Sequence, residues 1–112
     1  MIKTDICIIG AGPVGLFAVF EAGLLKMRCH LIDALPQVGG QLAEIYPHKP
    51  IYDIPGYPVI KAQELVNKLI EQIDPFRPGY TLGERVDHCF VKSTALLWLP
   101  LEGTAVTCKV VA

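Results

Sequence analysis

Hydrophobic and polar positions change period several times along the chain, and each change predicts an element. Residues 4–9 are β-branched and apolar on both faces, as in a strand buried within a parallel sheet. Residues 10–15 interrupt that run with glycines. From residue 13 to about residue 26 the pattern reads as a helix. Pro13 suits its first turn, where the missing N–H is not needed. Lys26 and Arg28 fall near the negative end of that helix. Residues 28–32 form a second apolar strand. Together these segments make one βαβ half-unit.

Residues 34–58 carry Pro36, Pro47, Pro50, Pro55 and Pro58 together with Gly39, Gly40 and Gly56. That density excludes a long regular helix through the middle of the stretch. A connection this long is usually functional or disordered. Tyr46, Tyr52, Tyr57 and the neighbouring aliphatic residues argue for order, and so for function. Residues 62–74 form an amphipathic helix with Leu65, Val66, Leu69, Ile70 and Ile73 on one face. Asp74 followed by Pro75 ends it. Residues 82–86 read as a short strand. Residues 88–101 and 104–112 read as strands of a small antiparallel unit, turned at Glu102 and Gly103. The predicted class is α/β: a Rossmann-like domain with a parallel sheet and a small antiparallel β-meander.

With 112 residues the chain is long enough for one small domain, and 52% hydrophobic residues suffice for a core. A net charge of −1, with no basic stripe, argues against nucleic acid as a partner. The apolar stretch over residues 6–25 is a poor membrane span or signal peptide. Asp5 and Glu21 charge it, Gly10, Gly12, Pro13 and Gly15 interrupt it, and no small-residue cleavage site follows. No membrane partner is expected, and the default location is the cytoplasm. Cys7, Cys29, Cys89 and Cys108 lack metal-ligand spacing and read as buried thiols of a reducing compartment. His30, His48 and His88 are scattered, so no metal site is expected.

The candidate chemistry starts at Gly10-x-Gly12-x-x-Gly15, directly after the first strand. Gly10 allows a tight turn, Gly12 a close backbone approach to a pyrophosphate, and Gly15 close packing of helix on strand. The helix start, with Pro13, offers unpaired N–H groups and a positive dipole end to phosphates. Asp33 closes the second apolar run about 20 residues on, the spacing of a ribose-binding acid. Its charge would accept two ribose hydroxyls and repel a 2′ phosphate, which points to FAD or NAD rather than NADP. Gly39, Gly40 and Gln41 follow at once. The glycine pair permits a second backbone pass near the dinucleotide and favours FAD, and Gln41 can hydrogen-bond it. Tyr46, stiffened by Pro47, can stack on an isoalloxazine ring or belong to the core. Asp53 can hydrogen-bond a flavin or cap a turn.

These residues resemble a known family. Residues 8–16, then Gly39-Gly40-Gln41-Leu42, Tyr46-Pro47-x-Lys49-x-Ile51-Tyr52-Asp53 and Gly56-x-Pro58, are similar to the thioredoxin-reductase-like (type 2) ferredoxin–NADP reductases of bacteria. Gln63-Glu64-Leu65 and Glu84-x-Val86 continue the likeness, which is close over residues 4–86 and looser over residues 87–112. The run from Tyr46 to Asp53 is its specific part. The resemblance implies an FAD site in which Asp33 holds the adenosine ribose, Gln41 contacts the cofactor, Tyr46 stacks on one flavin face and the Val86 backbone pins the adenine. It implies hydride transfer from NADPH to FAD, then single electrons to a ferredoxin or a similar iron–sulfur protein. The cofactor carries the redox chemistry, so no catalytic acid or nucleophile is expected here. His48 stands where the family more usually has an acidic residue.

Members of that family are much longer, with a separate NADPH domain, a returning FAD segment and often a dimeric state. This chain holds one dinucleotide fingerprint. The expectation is therefore that residues 1–112 are a truncated part of an FAD-binding domain, inactive with NADPH alone and exposing apolar surface. Alternatives are part of a thioredoxin-disulfide reductase, an FAD monooxygenase, or a non-catalytic FAD-binding remnant.

Overall fold

The structure, a computed structural model, describes residues 2–92, 95–100, 106–108 and 110–111, with side chains up to Asp87. A four-stranded parallel sheet lies at its centre, in the order β10 (Val110–Val111), β2 (Ile6–Ile9), β3 (Cys29–Asp33) and β6 (Gly79–Leu82). Ile6 pairs with Cys29 and Ile9 with Ile32; His30 pairs with Gly79 and Asp33 with Leu82. Two helices, α1 (Pro13–Leu24) and α3 (Ala62–Ile73), pack on one face. Leu16, Val19 and Ala22 of α1, and Val66 and Ile73 of α3, meet Ile8, Cys29 and Leu31 there. Each buried valine, leucine or isoleucine among them contributes about 1.5–3 kcal/mol. The alternate strand positions Cys7, His30 and Ile32 face the other way and are buried too.

A second sheet has the order β1 (Ile2–Lys3), β9 (Val106–Cys108), β8 (Ala95–Pro100) and β7 (Val86–Lys92). Strands β7, β8 and β9 form the expected antiparallel meander, and β1 joins β9 in parallel. A two-stranded ribbon, β4 (Pro50–Ile51) with β5 (Ile60–Lys61), and a five-residue helix, α2 (Gly40–Glu44), organise the proline-rich stretch.

Several boundaries differ from the sequence reading. The strand expected over residues 4–9 begins at Ile6, because the Asp5 carboxylate accepts the Arg28 N–H and the Thr4 hydroxyl donates to the Arg28 carbonyl. Helix α1 stops at Leu24. Lys26 takes a left-handed φ of 61°, its N–H bonds the Gly23 carbonyl, and the Met27 N–H bonds that of Ala22. This is a Schellman stop with lysine where glycine is usual. Helix α3 ends at Ile73 and passes into a 3₁₀ turn, Asp74–Phe76.

The strand expected over residues 82–86 lies instead over Gly79–Leu82. Gly79 has no side chain, and the buried His30 ring fills the space a β-carbon there would take. Gly83, with φ of 76°, then turns the chain out of the sheet. Residues 104–112 do not stay in one antiparallel unit, since Val110–Val111 pair in parallel with Ile6 and Cys7. The turn expected at Glu102 and Gly103 lies outside the described residues.

Candidate functional site

The site is built where β2 and β3 end. Gly10 has φ of 106°, a region closed to most side chains, and its N–H bonds the Ile32 carbonyl at 2.7 Å. The chain thereby turns over the end of the sheet into α1. Gly15 lies one turn along that helix. A β-carbon on it would overlap the Gly10 carbonyl oxygen and crowd Ile8. Gly12 is the N-cap of α1, with an ordinary φ of −78°, and no heavy atom outside its chain neighbours lies within 4 Å of where its β-carbon would stand. No acidic residue stands in the first turn, and Gly12 offers no side-chain cap. The first N–H groups of α1 therefore have no side-chain cap.

Asp33 sits at the carboxyl end of β3. One carboxylate oxygen accepts the Ala11 N–H at 2.7 Å and the other the Leu35 N–H at 2.9 Å. Its side chain therefore ties the glycine turn to the connection after β3, a role the sequence did not disclose. Each oxygen keeps a further acceptor site. The Asp33 carbonyl accepts the Glu84 N–H, and the Leu35 carbonyl that of Gly83. The segment leading to Val86 is thus fastened beside Asp33. Val86 opens β7 and is partly exposed.

The Gly39 N–H bonds the Ala11 carbonyl at 2.8 Å, and Gly40 lies against the Gly12 backbone. Gln41 follows on α2 with an exposed side chain. Tyr46, Pro47, His48 and Lys49 form a β-turn closed by the Lys49 N–H on the Tyr46 carbonyl, with proline at its favoured second position. The Pro47 and Lys49 carbonyls then accept the Gln63 and Ala62 N–H groups, capping α3 with backbone. Tyr46 presents a half-exposed ring, and His48 is exposed. Asp53, Tyr52, Lys49 and Leu42 line an open groove of about 490 Å³ that runs up to Pro13.

The structure therefore gathers Gly10, Gly12, Pro13, Gly15, Asp33 and Gly40 around one helix start. Asp53 joins Pro13 through the groove, and Tyr46 stands beside it on the Lys49 turn. Ala11, Lys49, Leu42 and Tyr52 lie within the motifs of the family resemblance, without a role read for any of them from sequence. For Lys49 a signal existed: the Tyr-Pro-x-Lys spacing of a β-turn. Among the described residues no cluster of histidine, cysteine or acidic groups could hold a metal. No described helix is long and apolar enough to cross a membrane.

Ferredoxin–NADP reductase 1 of Christiangramia forsetii is 75% identical over 87 residues, which are 78% of this chain and 25% of that protein. The ferredoxin–NADP reductase of Wolbachia sp. subsp. Brugia malayi is 54% identical over 110 residues, 97% of this chain and 32% of that protein. The chain is homologous to the ferredoxin–NADP reductases. It spans about a quarter to a third of the length of the curated relatives it matches. No family model matches it.

The fold is one shared with thioredoxin reductases. The Streptococcus pyogenes enzyme superposes with a TM-score of 0.83 at 25% identity, over 97% of this chain and 34% of that one. A cyclohexanone monooxygenase shares the fold at 19% identity and a TM-score of 0.75, over 99% of this chain and 26% of that one. Fold alone does not separate the three activities. Identity to the ferredoxin–NADP reductases is much higher, at 54–75%.

Proposed function

We propose that this chain is the part of an FAD-binding domain that holds the dinucleotide in a cytoplasmic flavoprotein passing electrons from NADPH to a ferredoxin. The observation that carries this is Gly12. Gly10 and Gly15 are glycines for the fold's own sake, one by its φ and the other by contact. Gly12 is neither strained nor crowded, yet it leaves open space at the uncapped start of α1. A pyrophosphate fits that bare, positive position.

The other residues arrange themselves around it. Gly10, Pro13, Gly15 and Gly40 shape the turn. Asp33 keeps acceptor capacity for the adenosine ribose, and the backbone at Val86 serves the adenine. Gln41 and Asp53 supply polar contacts, and Tyr46 a flat face for the isoalloxazine. FAD, when bound, supplies hydride acceptance and single-electron release. The chain's part is to orient it and shield it from water. The 54–75% identity to ferredoxin–NADP reductases favours ferredoxin over a disulfide as acceptor.

The purified chain should carry flavin absorbance, and the cofactor released by denaturation should be FAD. A colourless chain that does not take up added FAD would overturn the reading. A single dinucleotide fingerprint also means no NADPH oxidation by these 112 residues alone. Measurable NADPH consumption would refute that part.

A further inference from the structure

Lys49 occupies a place that the cofactor reading leaves without a purpose. Its ammonium nitrogen stands over the Tyr46 ring, 5.6 Å from the ring centre, within the range of a cation–π contact. The backbone at this point is fixed at three places. The Lys49 N–H bonds the Tyr46 carbonyl at 3.1 Å, the Lys49 carbonyl accepts the Ala62 N–H at 2.9 Å, and the Pro47 carbonyl accepts the Gln63 N–H at 2.9 Å. The turn is held by main chain alone. The Lys49 side chain is not needed to form it, and is instead aimed at the ring. Lys49 also lines the groove shared by Pro13, Leu42, Tyr52 and Asp53.

We infer that Lys49 is a positioning residue for a stacked flavin. The inference rests on the FAD reading proposed above. The cation covers one face of Tyr46, so the opposite face is the one left for a flat aromatic ligand. The contact also holds the Tyr46 ring in one orientation for that ligand. The positive charge near the groove favours the more negative, reduced form of whatever flavin is bound there. Lysine is suited to this because its ammonium is a compact point charge on a flexible stem. Asp53 in the same groove opposes the effect and keeps it modest.

The test compares wild type, Lys49→Met and Lys49→Arg, each loaded with FAD. Methionine keeps an apolar stem without charge, and arginine keeps the cation. In Lys49→Met the apo chain should melt at the wild-type temperature, because the turn is closed by backbone. FAD affinity should fall roughly two- to fivefold, in proportion to a partly exposed cation–π contact. The flavin absorption band and residual flavin fluorescence should shift, and the midpoint potential should move to more negative values. Lys49→Arg should restore the potential and the spectrum. Unchanged potential, spectrum and affinity in Lys49→Met, with FAD bound as in wild type, would overturn this inference alone. A wild-type chain that takes up no FAD would overturn the proposed function and this inference with it.

Discussion

Gly40 rests directly on Gly12: a β-carbon at Gly40 would stand 3.1 Å from the Gly12 α-carbon. Gly40 also has φ of 63°, where side chains are strained. The second glycine pair therefore buttresses the first glycine turn. Gly40→Ala should cost about 1–3 kcal/mol through strain and the displaced turn. A urea unfolding curve measures it. An unchanged midpoint would mean that the two loops are not in contact.

Gly12 and Gly15 should separate cleanly. Gly15→Ala drives a methyl into the Gly10 carbonyl, which is backbone and cannot swing aside, with the Ile8 side chain also close. A loss of at least about 3 kcal/mol is expected, enough to threaten folding. Gly12→Ala meets no atom and adopts an ordinary φ, so stability should change by less than about 1 kcal/mol. Flavin binding, read by absorbance titration, should nevertheless weaken at least tenfold. Gly12→Ala protein that binds FAD as tightly as wild type would remove the main support for the pyrophosphate position.

His30 should make stability fall in acid. Its ring is buried, with Nε2 2.6 Å from the Thr81 hydroxyl, and burial lowers its pKa below the ordinary 6.5. The unfolded chain then binds the proton more readily than the folded one. The stabilising contribution is present in full above 6.5 and is lost as pH falls through the depressed folded value. Urea midpoints should drop from about pH 7 to about pH 5, and His30→Gln should flatten that slope. An identical slope in the variant would assign the loss to other groups.

Lys26 offers the opposite sign. It holds the left-handed position of the helix stop with φ of 61°. Lys26→Gly should relieve that strain and stabilise the chain by about 0.5–1 kcal/mol, despite the greater freedom of the unfolded glycine. A rise of a few degrees in Tm is the expected readout. A lower Tm would show that the lysine stem packs on the apolar end of α1.

Apolar surface is exposed on the helix layer. Val14 and Phe17 of α1 line an open groove of about 920 Å³ with Ile54, Leu65 and Leu69. Both faces of the central sheet are used, so this surface lies on the outer side of the helix layer. Cys7 and Cys29 are buried as read, and burial, then the Asp5 charge, raises the Cys29 pKa. Cys89 and Cys108 fall outside the described side chains.

The sequence by itself determined the strand, glycine turn, helix and second strand of the first unit, and the helix Ala62–Ile73. In each, the information is local: apolar period, proline positions and φ demands act within a few residues. The position of Asp33 followed from the same local count. Tertiary structure alone decided where β6 starts, because His30, far away in sequence, needs the space beside Gly79. It decided that Val110–Val111 leave the meander, because β2 has an open edge for them. It also decided that Asp33 ties down Ala11 and that Lys49 covers Tyr46. The first three join residues distant in sequence. The fourth depends on a turn held against α3. Their energies exist only once the chain has brought those groups together.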